Sequence, residues 1–278
     1  MRNNRLEASM ERIGVMNTFG SRYLTFVFTA TLLIAGLIAI QKPLCAATLG
    51  TFTGTDSVNG LAASATFTLS GNELIVQLLN TSTSMVTQNP QVLSGLFFNV
   101  SGNPALSSPT VQLERASVYV NTSPNSPSGV LGDHWGYSQG SLGINHQTYE
   151  YGFGAAGFSG VFGSGNTISG NNQSMQGVDY GLVGPGGVGT NDGLANNGPQ
   201  IQNGVDFTLT GLDSQNPPVI SNVLFQYGSA SSGEFSLTGT PQTSAVPEPG
   251  VAATLLAFCM ALGYSGLRYL RRPVVCTN

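Results

Sequence analysis

Between residues 48 and 240 the chain carries no apolar stripe of helical period; its apolar residues recur at every second position in short runs. That pattern disfavours a helical bundle and selects half-buried strands, whose side chains alternate between two faces. In 61–69 (LAASATFTL), Phe67 and Leu69 alternate with Thr66 and Thr68, and in 74–79 (LIVQLL), Leu74, Val76 and Leu78 share a face. Ser70-Gly71-Asn72 between them is a turn sequence, so an antiparallel hairpin is expected. Further strands are expected in 92–100, 111–120, 147–153, 205–209, 219–227 and 235–237. Many short strands divided by Gly, Asn, Ser and Pro predict an all-β fold, an antiparallel β-sandwich of jelly-roll type. Residues 154–204, rich in Gly and Asn and poor in apolar anchors, read as long loops.

Charge separates this middle from the two ends. Of nine basic residues, eight are terminal: Arg2, Arg5, Arg12, Arg22, Lys42, Arg268, Arg271 and Arg272. Only Arg115 remains in the middle, against ten carboxylates, for a formal charge of −9. A lysine-free domain of this sign has no basic patch for a phosphate backbone, which argues against nucleic-acid binding. The three cysteines, Cys45, Cys259 and Cys276, also lie at the ends, so the middle has no disulfide and must hold together by its core.

Each end has its own organisation. Arg22 precedes an uncharged run over 23–40, followed by Lys42-Pro43-Leu44-Cys45-Ala46-Ala47. A basic flank, an apolar stretch, a helix-ending proline and small residues are the layout of a secretory signal peptide, 1–47, cut after Ala46 or Ala47. A start at Met16 gives a signal of more usual length. An uncleaved membrane helix is the other reading of this run, and the small residues at the cleavage place favour the signal. Leu44 before Cys45 and Lys42-Pro43 upstream argue against lipidation of Cys45.

At the other end, a linker over 241–250 contains Val246-Pro247-Glu248-Pro249-Gly250 and leads into an uncharged run over 251–267, then a basic tail over 268–278. Those 17 residues span roughly 25 Å as a helix, slightly short of a hydrocarbon core of about 30 Å. Arg268, Arg271 and Arg272 form a stop-transfer cluster that stays on the cytoplasmic side, so the middle domain is expected outside. Pro247 and Pro249 lack an amide hydrogen and keep the backbone extended before the membrane helix.

This tail resembles the PEP-CTERM sorting signal of exosortase substrates, found in envelope-bearing bacteria that make extracellular polysaccharide. The resemblance implies that a membrane-embedded, cysteine-dependent exosortase recognises Pro247-Glu248-Pro249 and cleaves near it, after export through the Sec translocon and cutting by signal peptidase. It implies an inner-membrane anchored precursor and a product on the cell surface or in the matrix. The stretch 273–278 beyond the arginines is longer than the short basic ending the pattern implies. A second resemblance covers most of the middle: FTLSGNELIVQLLNTST, VLSGLFFNVSGNPAL, GDHWGY, YGLVG, VDFTLTGL and ISNVLFQYGS, in that order, are similar to a family of exosortase-dependent surface proteins. That family lends destination and domain limits but no activity.

Candidate chemistry in the middle is sparse. Gly132-Asp133-His134-Trp135-Gly136 holds one of two histidines and the only tryptophan. Asp133 and His134 are candidate metal ligands with His146, although neighbours on a strand point to opposite faces. Trp135, with Tyr137, Tyr149 and Tyr151, is a candidate sugar-stacking platform; the bland alternative is a core or loop plug. Gly186-Gly187-Val188-Gly189-Thr190-Asn191-Asp192 approaches one copy of a calcium-binding repeat, a turn that needs stacked copies. It lacks a phosphate loop's lysine. Gly163-Ser164-Gly165 has no strand-to-helix context for a hydrolase nucleophile. Asn80-Thr81-Ser82, Asn99-Val100-Ser101, Asn121-Thr122-Ser123 and Asn172-Gln173-Ser174 fit the glycosylation triplet by composition alone. The reading is a non-enzymatic envelope protein without cofactor or metal, a structural or interaction component of the polysaccharide or biofilm matrix; a carbohydrate-binding module and a secreted hydrolase are the alternatives.

Overall fold

In the computed structural model, which describes residues 46–122, 127–162, 166–171, 175, 177–189, 194 and 198–242, the period-two runs are strands. The signal segment, the Pro247-Glu248-Pro249 motif, residues 251–267 and the arginine cluster lie outside the described residues. Among the described residues no helix is long and apolar enough to cross a membrane.

The expected hairpin is present. β2 (Leu61–Ser70) and β3 (Glu73–Asn80) pair from Ala63↔Asn80 to Ser70↔Glu73, and every second residue of each is buried. Gly71, at φ 62, supplies the left-handed first position that a two-residue hairpin loop requires. β1 (Ala47–Asp56) joins β2 through a tight turn, in which the Asp56 carboxylate accepts the Val58 and Asn59 amides at 3.0 and 3.2 Å. β1 has few apolar residues to announce it. Its Gly54 faces the core, where a Cβ would lie 2.7 Å from Leu237.

The next strands are β4 (Leu93–Val100), β5 (Ser107–Leu113), β6 (Val118–Val120), β7 (Gly136–Ile144) and β8 (Gln147–Gly154). β9 (Leu182–Val183), β10 (Gln200–Gln202), β11 (Gly204–Thr210), β12 (Ile220–Tyr227), β13 (Ser236–Thr238) and β14 (Thr240–Gln242) complete the series. The first sheet has the order β14-β1-β2-β3-β11-β5. The second runs β13-β12-β4-β9-β10-β6, with β8 also on β4 and β7 on β8. All pairs among these strands are antiparallel except β9 with β10.

Three expectations need correction. The run 111–120 is not one strand: Glu114 and Ser117 close a turn, Ser117 N–H donating to the Glu114 carbonyl at 2.8 Å, and this sends β5 and β6 to different sheets. Residues 154–204 are not loops alone, because Phe158, Phe162, Tyr180, Leu182 and Ile201 are buried and two short strands form there. The strand order also departs from a jelly roll's paired Greek keys. Turns of two and four residues between β1, β2 and β3 are too short to cross to the other sheet, so these strands form a meander.

One core joins the sheets. Phe153 of the second sheet stacks on Phe207 of the first with centroids 3.9 Å apart, and Phe98 meets Phe67 edge-on at 5.0 Å. The second sheet is covered on its other side too, by a cluster of Phe97, Leu142, Ile144, Tyr149, Phe158, Phe162 and Leu224. This explains why β4 is buried at seven of its eight positions. Gly152 and Gly154 make that packing feasible, since a Cβ there would lie 2.6 Å from Phe97 and 2.5 Å from Phe162. At the C-terminal end of the domain β13 pairs with β12 and β14 with β1, so residues 236–242 strap the edges of both sheets together.

Tyr227 lies fully inside the shared core, and its hydroxyl has no hydrogen-bond partner among the described residues. Burial pushes the phenol far above its ordinary range. An unpaired buried hydroxyl costs about 1–3 kcal/mol, so Tyr227→Phe should leave stability unchanged or raise it by about 1 kcal/mol in urea unfolding.

Candidate functional site

The segment around Trp135 is a one-turn 3-10 helix, Leu131–Asp133, leading into β7. The turn aims neighbouring side chains apart. Asp133 accepts hydrogen bonds from the Ser169 hydroxyl, from Asn171 Nδ2 at 2.6 Å and from the Val130 amide at 3.3 Å. The Ser169 bond, chiefly, holds its carboxyl below the usual range. His134 instead stacks flat on Tyr180, centroids 3.5 Å apart, with Nε2 2.9 Å from the Ser128 carbonyl. His146 sits in the β7–β8 turn, at the opposite end of that hairpin. The structure thus does not bring Asp133, His134 and His146 together. Among the described residues no three His, Cys, Asp or Glu side chains are grouped to hold a metal.

Tyr180 carries this loop cluster in an uncommon backbone conformation, φ 59. Three contacts hold it there. Its ring lies against His134, its hydroxyl oxygen accepts the Ser128 amide at 3.0 Å, and its carbonyl accepts the Trp135 indole N–H at 3.2 Å. The arrangement is a structural knot in which these polar groups are paired with one another.

The four aromatics do not form a platform, and that expectation is corrected. Trp135 is 0% exposed and meets Phe207 edge-on at 5.2 Å. Tyr151, also buried, stacks on Phe98 at 5.5 Å and donates to the Pro104 carbonyl at 2.6 Å; burial pushes its phenol up to about 12. Tyr149 is buried against Phe97, 5.9 Å between centroids. Tyr137 is half-buried and tilts against Phe153 at 5.4 Å. A sugar stacks on an exposed ring face, whereas these rings are committed to the interior, where their large apolar area stabilises most. Of the weaker motifs, Gly163-Ser164-Gly165, Asn172-Gln173-Ser174 and Thr190-Asn191-Asp192 lie outside the described residues, and of Asn121-Thr122-Ser123 only Ser123 does. Asn80 is buried, its Nδ2 donating to the Leu182 carbonyl at 2.9 Å, so the first glycosylation triplet is closed to a sugar.

The broad polar surface is the outer face of the first sheet, which the sequence pattern does not single out. Strand register aligns Thr51, Thr66, Gln77, Asp206 and Gln112 in one row across five strands. Hydroxyls touch along the face, at 3.2 Å for Thr51 with Thr66 and 3.2 Å for Ser107 with Thr210. No lysine or arginine lies on these strands, and the acids of the face are Glu73 and Asp206. Such a surface offers hydroxyl, amide and carboxylate groups for hydrogen bonds. Asp206 Oδ1 is buried without a partner among the described residues. Burial first, then the negative charge of Glu114, raise its carboxyl above the usual range, while a hydrogen bond from Gln77 pulls the other way.

A scan against protein-family models finds no match to this chain, and searches of curated proteins and of solved structures find none either.

The raised Asp206 gives a signed pH prediction. A carboxyl whose folded-state pKa lies above its unfolded one binds more protons when folded, so its effect on stability is most favourable below the ordinary aspartate range. That contribution is lost as pH rises through the raised value. Asp206→Asn should therefore raise the Tm at pH 7 and flatten the loss of stability on going from about pH 3 to pH 7, followed by thermal unfolding.

Proposed function

We propose that the chain is an exported cell-envelope protein and the substrate of an exosortase-type sorting system. In this reading the domain between the two ends is a β-sandwich that serves as a structural or interaction component of the extracellular polysaccharide matrix. It is anchored in the inner membrane first and displayed on the cell surface or in the matrix afterwards. The single observation that carries the proposal is the order of Pro247-Glu248-Pro249, an uncharged run over 251–267, and Arg268, Arg271 and Arg272. Each part has a separate physical role, with an extended backbone to grip, a segment to insert, and charges to retain.

The domain's chemistry supports the destination. Its lysine-free character and its face of threonine, serine and glutamine suit hydrated, polyhydroxylated surroundings. With Trp135, Tyr149 and Tyr151 buried, nothing favours an aromatic sugar site, and a matrix component is the better reading than a carbohydrate-binding module. Asp133 and Ser169 bond directly to each other while His134 turns to Tyr180, which gives a hydrolase no support.

The test is a motif variant in the source bacterium. Pro247→Ala with Pro249→Ala should accumulate a membrane-bound precursor, while the unaltered protein reaches the surface without residues 251–278. An unaltered protein that keeps those residues at the surface, at the same size as the variant, overturns the processing reading.

A further inference from the structure

The sequence holds three Asn-Gly pairs, Asn59-Gly60, Asn197-Gly198 and Asn203-Gly204. In such a pair no Cβ shields the glycine amide nitrogen, which can attack the carbonyl carbon of the asparagine side chain. The new C–N bond closes a cyclic imide as the bond to Nδ2 breaks and ammonia leaves. Water then opens the imide, either to aspartate or to isoaspartate, in which the main chain runs through the former side chain. The balance needs only water. In a folded chain the rate depends on whether the side chain and the following amide are free to turn toward each other.

The fold treats these pairs differently. Asn203-Gly204 is built into the junction of β10 and β11. Asn203 N–H donates to the Val183 carbonyl at 2.9 Å, its Nδ2 donates to the Ala116 carbonyl at 2.8 Å, and the Gly204 N–H, the attacking group, donates to the Ser117 hydroxyl at 2.8 Å. Gly204 is buried and pairs with Leu79 of β3, so close that a Cβ would lie 2.3 Å from the Leu78 carbonyl oxygen. Reaction there requires β11 to leave the sheet, an opening of nearly global cost. Asn197 lies outside the described residues.

Asn59-Gly60 sits in the β1–β2 turn, beyond the last strand pair, Asp56↔Leu61. Ser57 and Val58 beside it are exposed. The Asn59 side chain is tied to its own turn, Nδ2 donating to Asp56 Oδ2 at 2.6 Å. The Gly60 carbonyl accepts the Ser82 hydroxyl, a bond that does not occupy the attacking nitrogen. Releasing the turn leaves the β1–β2 ladder intact, so it is a low-cost local opening.

We propose that Asn59 is a self-modification site of the folded domain, converting through a cyclic imide with Gly60 to aspartate and isoaspartate, while the fold protects Asn203. The product undoes the turn that made it. Where Asn59 now donates to Asp56, an aspartate presents a second carboxylate, and like charges that close repel. The hydrogen bonds from Asn59, that of its side chain first, hold the Asp56 carboxyl below the usual range, and this support goes with the amide. Isoaspartate adds a methylene to the main chain, so the turn no longer fits the Asp56↔Leu61 pair. The β1–β2 end of the first sheet therefore loosens with the age of the molecule.

Incubation of the purified full-length protein in mildly alkaline buffer tests this, with peptide mapping by mass spectrometry and fragmentation that separates aspartate from isoaspartate. In the folded protein Asn59 should convert roughly a hundredfold faster than Asn203, and in urea the two rates should come within a few-fold of each other. Asn59→Asp, which supplies one product directly, should speed amide hydrogen exchange at Val58 about tenfold. No conversion at Asn59, equal rates at Asn59 and Asn203 in the folded protein, or a hundredfold difference that persists in urea overturns the proposal. Native exchange at Val58 in the Asn59→Asp protein overturns the loosening of the turn.

Discussion

The stacking of Phe153 on Phe207 and the edge-on contact of Phe98 with Phe67 hold the two sheets face to face, and the rest of the molecule depends on that join. No cysteine lies between residues 46 and 258, so no disulfide within the domain reinforces it. Loss of a fully buried phenylalanine typically costs about 3–5 kcal/mol, a large part of a domain's net stability. The aromatic join also decides what is absent from the surface. Trp135 and Tyr151 are used to fill the space around it, which is why they are closed to a ligand.

The two sheets differ in how much surface they leave. One is apolar on both sides, because the Phe97 and Phe158 cluster covers its back. The other turns a face of threonine, serine and glutamine outward, with Asp206 set into its middle. That face is hydrated and lined by hydroxyl and amide groups, with the carboxylates Glu73 and Asp206 among them. The strap over 236–242 ties the edges of both sheets together at the C-terminal end of the described domain.

Much of this is legible in the sequence wherever one face of a strand is buried and the other wet. β2, β3 and β11 alternate cleanly, and the Gly71 turn between β2 and β3 is evident from residue type. β1 and β7 escape sequence reasoning because glycines and threonines hold places that larger residues usually mark, and Gly54 is small only because Leu237 fills its space. The break at Glu114 is hard to see because Glu114-Arg115-Ala116-Ser117, which separates the strand-forming runs VQL and VYV, holds no glycine or proline to mark a turn. The aromatic site misleads for another reason: residue type alone does not distinguish a tryptophan that plugs a core from one that stacks a sugar. The deciding feature is the contact of Trp135 with Phe207 across the join between the sheets, which only the three-dimensional packing makes readable.

If the β-domain is a passenger whose ends are removed, the intact mass of the native protein recovered from the cell surface shows it most directly. The predicted mass corresponds to a chain that begins at Ala47 or Thr48 and stops before the apolar run at 251. A surface protein whose mass includes residues 251–272, with Arg271 and Arg272 still attached, contradicts it.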